Sequence, residues 1–298
     1  MLDSKQCQAF LAVAETGSFE HASLQLHLTA SAVSLRVQAL ERQLGQMLLI
    51  RGRPCQTTPA GEQLLQYLQR QRFMEQNFLQ NLQGKQANSE FVKVVIASNA
   101  DSLATWLLPS LQQSVIQQQI ALEIRIDDQS LTHALLEAGQ VHACISAESQ
   151  VLRGCLVKTL GYMRYKMVAT PTFVARWFKH GVSRQSLMQA PAVIFNQKDH
   201  MHQNVLLKLH GLTANSYPYH FIPSSEAFVN AIHRGLGYGL VPDLQLGAAL
   251  ELGELVEILP EAQTDILLYW HHWQQQSKPL QQLTQQIYQN SQRFLHPV

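Results

Sequence analysis

The sequence predicts a mixed α/β protein with three parts: a small, mostly helical N-terminal domain, one long helix and a larger α/β domain. The first part is predicted because apolar residues recur at helical spacing through residues 4–58. The second is predicted by an unbroken helical pattern over residues 59–83, and the third by strands that alternate with helices from Phe91 onward.

The composition predicts a globular protein. The chain has 298 residues, of which 46% are hydrophobic, enough for two domains with sizeable cores. No apolar run reaches the roughly 18 residues that a transmembrane helix needs, and Met1–Lys5 does not resemble a signal peptide. The four cysteines are widely spaced and are expected to be reduced thiols. We therefore expect a soluble cytoplasmic protein without a membrane partner.

Residues 4–58 begin with the pattern of three short helices. Gly17 would end the first, Ser18 can cap the second, and Thr29 can cap a third that ends at Gly45. The inner faces carry Cys7, Phe10, Leu11 and Ala14 in the first helix, and Val33, Val37, Leu40 and Leu44 in the third. This order is that of a helix-turn-helix, although an ordinary three-helix bundle would show the same spacing.

Positive charge is concentrated in this region. The net charge of the chain is only +1, but residues 29–58 hold four arginines and one glutamate, so the rest of the chain is slightly acidic. The outer face of the third helix has no acidic residue near its start and can approach a major groove of DNA. The predicted DNA contacts on this face are Ser31, Ser34, Leu35, Arg36 and Gln38.

A β-hairpin is predicted next. Its strands are Met47–Ile50 and Cys55–Thr58, and the turn between them contains Arg51 and Arg53. Beside a helix-turn-helix, such a hairpin is typical of a wing whose arginines contact phosphates or a minor groove. A solvated surface turn is the alternative. Arg51, Arg53 and Thr58 are therefore further candidates for DNA binding.

A long amphipathic helix follows the hairpin. Thr58 can cap it, and Pro59 suits its first helical position. Its apolar stripe comprises Leu64, Leu65, Leu68, Met74, Phe78, Leu79 and Leu82. No adjacent domain is predicted to cover this stripe, so we expect a partner helix and hence dimerisation. We assign residues 1–58 to the N-terminal domain, 59–83 to the linker and dimerisation helix, and 84–90 to a hinge.

Residues 91–298 are predicted to form two α/β lobes with a ligand cleft between them. Lobe I is assigned to residues 91–162 and 267–298, and lobe II to residues 163–266. The predicted elements of lobe I are strands at Val92–Ala97, Leu122–Ile126 and Val141–Ile145, with helices at Ser102–Ser114 and Leu131–Glu137. Their alternation favours a parallel sheet, whose ligands bind at the carboxyl ends of the strands.

The N-terminal sequence resembles the LysR-type transcription regulators. The runs that carry the resemblance are FLAVAETGSF (10–19), LHLTASAVS (26–34), ALE (39–41), LG (44–45) and TPAG (58–61). The resemblance extends over the whole chain in order and length. It implies a regulator that binds double-stranded DNA through a winged helix-turn-helix and an effector through a two-lobed, periplasmic-binding-protein-like domain. It also implies a homodimer or tetramer, with RNA polymerase as a partner; whether it activates or represses stays open.

A narrower resemblance points to a branch of that family that senses lysine or arginine and controls basic amino-acid export and metabolism. It rests on the runs NADSLATWLLP (99–109), MHQ (201–203), SSEAFV (224–229) and LYWH (268–271). Two positions depart from the pattern: Ala30 replaces the family's usual glutamine, and Asn196 replaces the branch's aspartate. The alternatives are a regulator with a neutral or acidic effector, and a solute-binding protein or enzyme built on the same cleft.

The effector is expected where strand ends meet helix starts. Backbone amides at a helix N-terminus favour a carboxylate, and a nearby acidic side chain can receive an ammonium group. The candidate effector-binding residues are Asn99, Asp101, Ser102, Trp106, Asp128 and Ser146 in lobe I, and Asn196, Asp199, Ser225 and Glu226 in lobe II. Helix capping is the alternative role for Asn99, Asp101, Ser102 and Ser225.

Metal and enzyme chemistry have little support in the sequence. The closest groupings among the 13 histidines are His200-x-His202 and His271-His272, and neither belongs to a four-ligand pattern. The chain contains no Gly-x-Ser-x-Gly, P-loop or His-Glu-x-x-His motif. We therefore expect neither a metal, nor another cofactor, nor enzymatic activity.

Overall fold

The computed structural model describes residues 2–83, 91–127 and 132–298, without the side chains of residues 73, 74 and 76–83. Two compact units make up the chain: residues 1–86 with 137–140, and residues 87–136 with 141–298. The predicted hinge (84–90), Asp128 and the side chains of Met74, Phe78, Leu79 and Leu82 lie outside what is described. Among the described residues, no helix is long and apolar enough to cross a membrane.

The N-terminal unit contains three short helices, a small hairpin and one long helix. Their bounds are α1 (Ser4–Thr16), α2 (Phe19–Gln25), α3 (Ala30–Leu44), β1 (Leu49–Ile50), β2 (Gln56–Thr57) and α4 (Pro59–Gln83). Ser18 and Thr29 cap α2 and α3 with their side-chain oxygens, as predicted. Gly17 and Gly45 end α1 and α3 in the left-handed conformation that favours glycine.

The core of this unit lies where α1, α3 and the hairpin meet. Its most buried members include Phe10, Val33, Val37, Leu40 and Leu48. Leu65 and Leu68 of α4 join the same cluster, so the prediction that no adjacent structure covers the linker stripe is wrong for its first part. Leu44 was predicted on the inner face of α3 but is 38% exposed, because it lies in the last turn, beyond the core.

A buried carboxylate joins the hairpin to α3. Glu41 is 8% exposed, and its Oε1 accepts hydrogen bonds from the backbone N–H groups of Leu48 (2.9 Å) and Leu49 (3.3 Å). Hydrogen bonds to a charged acceptor are stronger than neutral ones and offset the cost of burying the charge. The hairpin therefore begins at a fixed position beside α3. Its strands are shorter than predicted, because the backbone N–H of Cys55 bonds to Gly17 O (2.8 Å) rather than across the hairpin.

The C-terminal unit alternates strands and helices. Its first half contains β3 (Val92–Ser98), α5 (Ala100–Ser102), a π-helical turn (Leu103–Leu107), α6 (Leu108–Gln117), β4 (Ile120–Ile126), α7 (Thr132–Glu137), β5 (Ala143–Ser146) and β6 (Cys155–Ala169). Its second half contains α8 (Pro171–Trp177), α9 (Arg184–Leu187), β7 (Ala192–Ile194), α10 (Met201–His210), β8 (Tyr219–Phe221), α11 (Ser225–His233), β9 (Gly239–Pro242), α12 (Asp243–Leu246), β10 (Val256–Glu257), β11 (Thr264–Trp273) and α13 (Lys278–Ser291). Short 3₁₀ turns lie at Ala214–Ser216 and Pro260–Ala262.

One mixed sheet runs through both lobes. Its strand order is β10-β6-β11-β5-β3-β4, and β9 also pairs with β6. The pairs β3–β4 and β3–β5 are parallel, as predicted, but β11 is antiparallel to both β5 and β6. The long strands β6 and β11 pair from Cys155 opposite Trp273 to Tyr165 opposite Thr264, and so connect the lobes. Asn99 and Asp127, which follow the carboxyl ends of β3 and β4, line a cavity. These strand ends therefore face a cleft, as predicted.

The C-terminal tail packs against β6 and β11 at the point where these paired strands pass from one lobe to the other. A β-bulge interrupts their register at Leu268/Tyr269, opposite Gly161, whose φ is +139°. A Cβ at Gly161 would lie 2.7 Å from the backbone oxygen of His296, so only glycine fits there. Tyr162 and His296 exchange two backbone hydrogen bonds of 2.9 Å. His296 Nε2 also lies 2.5 Å from Asp243 Oδ2 on α12, so the tail contacts both lobes.

We predict that Glu41→Ala lowers the stability of the N-terminal unit by about 1–3 kcal/mol, because two buried N–H groups lose their acceptor. Glu41→Gln keeps one acceptor oxygen and should lose less. Thermal unfolding of the full chain measures both, with the exposed Glu75→Ala as a matched control. Equal unfolding temperatures for Glu41→Ala and the control would contradict the assigned role.

A second prediction concerns pH. Arg164 donates two hydrogen bonds of 2.8 Å to Asp265, and these hold the pKa of Asp265 below its ordinary value. The pair therefore stabilises the fold at neutral pH, and this contribution is lost as the pH falls below about 4 toward the lowered pKa. In urea unfolding, Asp265→Asn should be less stable than the parent at neutral pH. A gap that stays constant down to acidic pH would exclude this linkage.

Candidate functional site

The outer face of α3 carries the predicted DNA contacts. Ser31 and Leu35 are exposed, whereas Ser34, Arg36 and Gln38 are half-buried. Their polar groups are ordered by neighbours: the hydroxyls of Thr29 and Ser31 lie 3.0 Å apart, and Gln38 Nε2 lies 3.4 Å from Ser34 Oγ. Leu35 is 61% exposed, and an apolar side chain on such a face suits a thymine methyl group.

The hairpin turn presents both predicted arginines to solvent. The guanidinium carbon of Arg51 lies 5.5 Å from the centroid of the Phe19 ring, a cation–π contact that orients the side chain. Arg53 is exposed and close enough to Glu20 to contribute, as a minor cause, to the lowered pKa of that carboxyl; hydrogen bonding to the backbone and to Ser18 contributes more. These positions fit a wing beside α3.

The Thr58 hydroxyl forms hydrogen bonds within the protein. Its hydroxyl donates to Met47 O (2.6 Å) and accepts from the backbone N–H of Gly61 (3.0 Å). The single hydroxyl proton is therefore used within the protein and is not offered to a phosphate. Thr58 caps α4 and ties it to the hairpin, so its prediction as a DNA-binding residue is corrected here.

A cavity of about 960 Å³ lies in the C-terminal unit. One wall comes from the β3–α5 turn and the end of β4, with Asn99, Asp101 and Asp127. The opposite wall comes from the loop before α10 and from α10 itself. The crossing strands β6 and β11 form the floor. The polar and charged residues that line lobe II and the floor include Tyr165, Asn196, Lys198, Asp199, Lys208 and Thr264.

Asp101 is the most constrained acid of this cavity. Its Oδ1 accepts from Ser225 Oγ (2.6 Å), and its Oδ2 accepts from the hydroxyl of Tyr165 (2.9 Å). Burial raises the pKa of Asp101, and the hydrogen bonds from Ser225 and Tyr165 oppose that rise. Because Asp101 belongs to lobe I and Ser225 to lobe II, this carboxylate joins the two lobes.

The other two cavity acids have different partners. Asp199 accepts from the backbone N–H groups of Met201 (3.0 Å) and Phe195 (3.4 Å), so it organises the loop before α10. Asp127 Oδ1 lies 3.8 Å from the ammonium nitrogen of Lys198, across the cleft. Asn196 Oδ1 accepts from the backbone N–H of Lys198 (2.7 Å) and shapes the same loop.

Five predicted effector residues lie away from the described cavity lining: Ser102, Trp106, Ser146, Ser225 and Glu226. Trp106 is fully buried in the core, and its indole N–H donates to Ser102 Oγ (3.2 Å). Ser146 is buried and accepts from the backbone N–H of Glu148 (3.1 Å), while Glu226 is exposed in the first turn of α11. Ser102, Trp106 and Ser146 therefore have local structural contacts. Ser224, rather than Ser225, caps α11, which leaves the Ser225 hydroxyl to Asp101.

Several residues that line the cavity were not predicted from the sequence. Tyr165, Lys198, Lys208 and Thr264 line the cavity, but none belongs to a motif that was singled out. Tyr165 lies in a long strand whose alternation predicts only that every second side chain faces the same side. Its hydrogen bond to Asp101 forms because β6 passes from lobe I to lobe II, and no local sequence pattern predicts that passage.

The histidine pairs do not form metal sites. His202 is buried between Tyr217 and Tyr238, and burial lowers its pKa to about 4, whereas His200 is exposed. His271 and His272 are neighbours on one strand and point to opposite faces. Across the described part of the chain, no group of three or more His, Cys, Asp or Glu side chains is placed to hold a metal ion.

Comparisons with known proteins identify the family of both parts of the chain. A family described as "Bacterial regulatory helix-turn-helix protein, lysR family" matches residues 4–62, and "LysR substrate binding domain" matches residues 94–292. The chain belongs to the LysR family of transcription regulators. It is a DNA-binding regulator rather than an enzyme, and its α/β fold with an N-terminal helix-turn-helix is confirmed.

The narrower resemblance is also confirmed. The chain is 38% identical over 296 residues to "HTH-type transcriptional regulator ArgP" of Aeromonas salmonicida, covering 99% of both chains. It is 40% identical over 294 residues to the ArgP of Vibrio vulnificus (strain YJ016), covering 99% of this chain and 98% of that one. Among solved structures, it is similar to ArgP from Mycobacterium tuberculosis (TM-score 0.84, 32% identity, all of both chains). It is also similar to LysG from Corynebacterium glutamicum with bound effector Arg (TM-score 0.76, 32% identity, 99% and 100% covered).

We predict that Arg51→Ala and Arg53→Ala each weaken DNA binding by a similar factor on all sequences, because a phosphate contact carries no sequence information. Each change should reduce the slope of log affinity against log salt by about 0.9. Fluorescence anisotropy with specific and random duplexes measures both quantities. Arg153→Ala, an exposed arginine of the other unit, is the control. Unchanged affinity and slope in both variants would make the wing assignment wrong.

Proposed function

We propose that this regulator responds to a basic amino acid, lysine or arginine, bound in the cavity of its C-terminal unit. The observation that carries the proposal is the Asp101 carboxylate, which is half-buried at the cavity between two neutral hydroxyl donors. Neutral donors do not cancel its charge, so a cation in the cavity gains a strong partner. The bound arginine of the LysG structure, at 32% identity, supports the same class of effector.

The charge of the cavity also supports a basic effector. Among its described lining residues are three carboxylates (Asp101, Asp127 and Asp199) and two lysines (Lys198 and Lys208), a net of one negative formal charge. Free lysine or arginine carries one net positive charge. In the proposed pose, the α-ammonium group bonds Asp101, and the α-carboxylate faces the amides at the start of the helical stretch from Ala100.

The cationic side chain is proposed to point toward Asp127. Lys198 reaches Asp127 at only 3.8 Å, which is a weak ion pair between partly exposed groups. The effector's ammonium or guanidinium group can therefore compete for this carboxylate. Asn196, although uncharged, contributes by holding the loop that carries Lys198.

Effector binding is proposed to act on DNA through the position of the lobes. An amino acid on Asp101 changes the bonding of the carboxylate that also accepts from Ser225 of lobe II, and so shifts the equilibrium between conformations. We further propose that α4 pairs with a second copy of the chain, that residues 84–90 act as the hinge, and that bound regulator contacts RNA polymerase. We also propose that the protein acts in the cytoplasm, where its DNA target lies.

An anionic effector is the second candidate. Lys198 and Lys208 both line the cavity, and the helical stretch from Ala100 favours a carboxylate. A dicarboxylate would use these groups and would avoid Asp101. The two candidates therefore differ in their dependence on Asp101.

Isothermal titration calorimetry separates the candidates. The regulator should bind arginine or lysine, and Asp101→Asn should weaken binding by about ten- to a hundredfold, as expected for a lost charged hydrogen bond. N-acetylarginine, which lacks the α-ammonium charge, should bind the parent and Asp101→Asn alike. Asp3→Asn, which keeps a capping residue at α1, is the control. If the parent binds a dicarboxylate but neither basic amino acid, the cationic effector is ruled out.

A further inference from the structure

The hydroxyl of Ser225 lies between two groups that are both placed to accept its proton. Ser225 Oγ is 2.6 Å from Asp101 Oδ1 and 3.1 Å from the side-chain oxygen of Gln245. Ser225 is 6% exposed, so water does not easily replace either partner. A hydroxyl has one proton to donate, and the two contacts therefore compete for it.

The carboxylate wins this competition. It is charged and closer, and hydrogen bonds to a charged acceptor are about twice as strong as neutral ones. Two oxygens that are 3.1 Å apart with no proton between them would repel each other. The oxygen and the NH₂ group of an amide have nearly the same shape, and a half turn of the Gln245 amide places its Nε2 opposite Ser225. Gln245 then donates to Ser225, and Ser225 donates to Asp101.

We infer that Gln245 is a positioning residue for the effector site: its amide directs the one Ser225 proton to Asp101 and so fixes the carboxylate that receives the effector's ammonium group. This inference rests on the proposed function for the role of Asp101 toward the effector. Gln245 lies on α12, outside the cavity lining, and acts through Ser225. With Ser225 and Tyr165 each donating one hydrogen bond, the carboxylate keeps acceptor positions for an ammonium group.

The direction of the Ser225 proton controls the titration of Asp101. Burial raises the pKa of Asp101, and the bonds from Ser225 and Tyr165 lower it. Gln245→Glu replaces the donor with a group that only accepts and adds a negative charge nearby, so the pKa of Asp101 rises further. Other charged groups on the surrounding elements include Asp243, His296, Arg164, Asp265, Lys166, Glu226, Asp127, Asp199, Lys198 and Lys208, and the substitution changes none of them.

Calorimetry with arginine, from mildly acidic to mildly alkaline pH, tests the inference on the full chain. For Gln245→Glu, the pH at which binding is half lost should move up by about one unit, with about tenfold weaker binding near the midpoint. Gln245→Met keeps the length of the side chain but cannot donate, and should give a smaller upward shift. The control Gln189→Glu adds the same charge at an exposed position of lobe II and should leave the midpoint unchanged.

A second measurement does not need the effector. Carbon-13 NMR of carboxyl-labelled aspartate follows Asp101 directly, and Asp101→Asn identifies its signal. The Asp101 midpoint should rise in Gln245→Glu relative to Gln189→Glu. Equal midpoints in these two variants would overturn the role of Gln245, even if arginine binds. If the midpoint rises but no basic amino acid binds, the proposed effector fails while the hydrogen-bond order stands.

Discussion

The bonding of the half-buried Asp101 carboxylate between two lobes is the constraint on which the rest of the effector unit depends. Withdrawing a carboxylate from water costs free energy unless hydrogen bonds replace the lost hydration. Tyr165 and Ser225 supply them, from β6 and α11, while Asp101 lies in the first turn of the helical stretch after β3. Three distant segments must therefore meet within hydrogen-bond distance, and the crossing of the strands between the lobes brings them together.

Backbone hydrogen bonds, rather than side chains, hold the two strands together where they pass between the lobes. β6 and β11 pair across both lobes, with one bulge opposite Gly161, and the tail residue His296 pairs with Tyr162 beside it. A bulge leaves one residue outside the ladder and bends the strand locally. The sheet can thus turn from one lobe to the other without losing its hydrogen bonds elsewhere. The tail covers the position where a side chain at Gly161 would collide.

The features that local chemistry determines were predictable from the sequence. Ser18 and Thr29 cap helices, and Gly17 and Gly45 end them, because these effects involve residues three or four positions apart. The position of the cavity at the carboxyl ends of β3 and β4 was predictable because strands and helices alternate in this part of the sequence. In contrast, Ser224 caps α11 in place of Ser225, because the Ser225 hydroxyl bonds to Asp101, a distant residue. Tyr165, Lys198 and Gln245 reach the site from distant segments, so no local pattern identifies them.

A buried and a half-buried carboxylate, Glu41 and Asp101, show how a similar group acquires different roles. Glu41 accepts from two backbone N–H groups at a fixed junction, and its bonding serves only the hairpin. Asp101 accepts from two side-chain hydroxyls at the edge of a cavity, one on the floor strand β6 and one on α11 of lobe II. The hydroxyls donate hydrogen bonds but leave the negative charge of Asp101 in place, whereas an ammonium group would both donate and neutralise that charge. The carboxylate is therefore held in position by its two donors while its charge stays available to the proposed cationic effector.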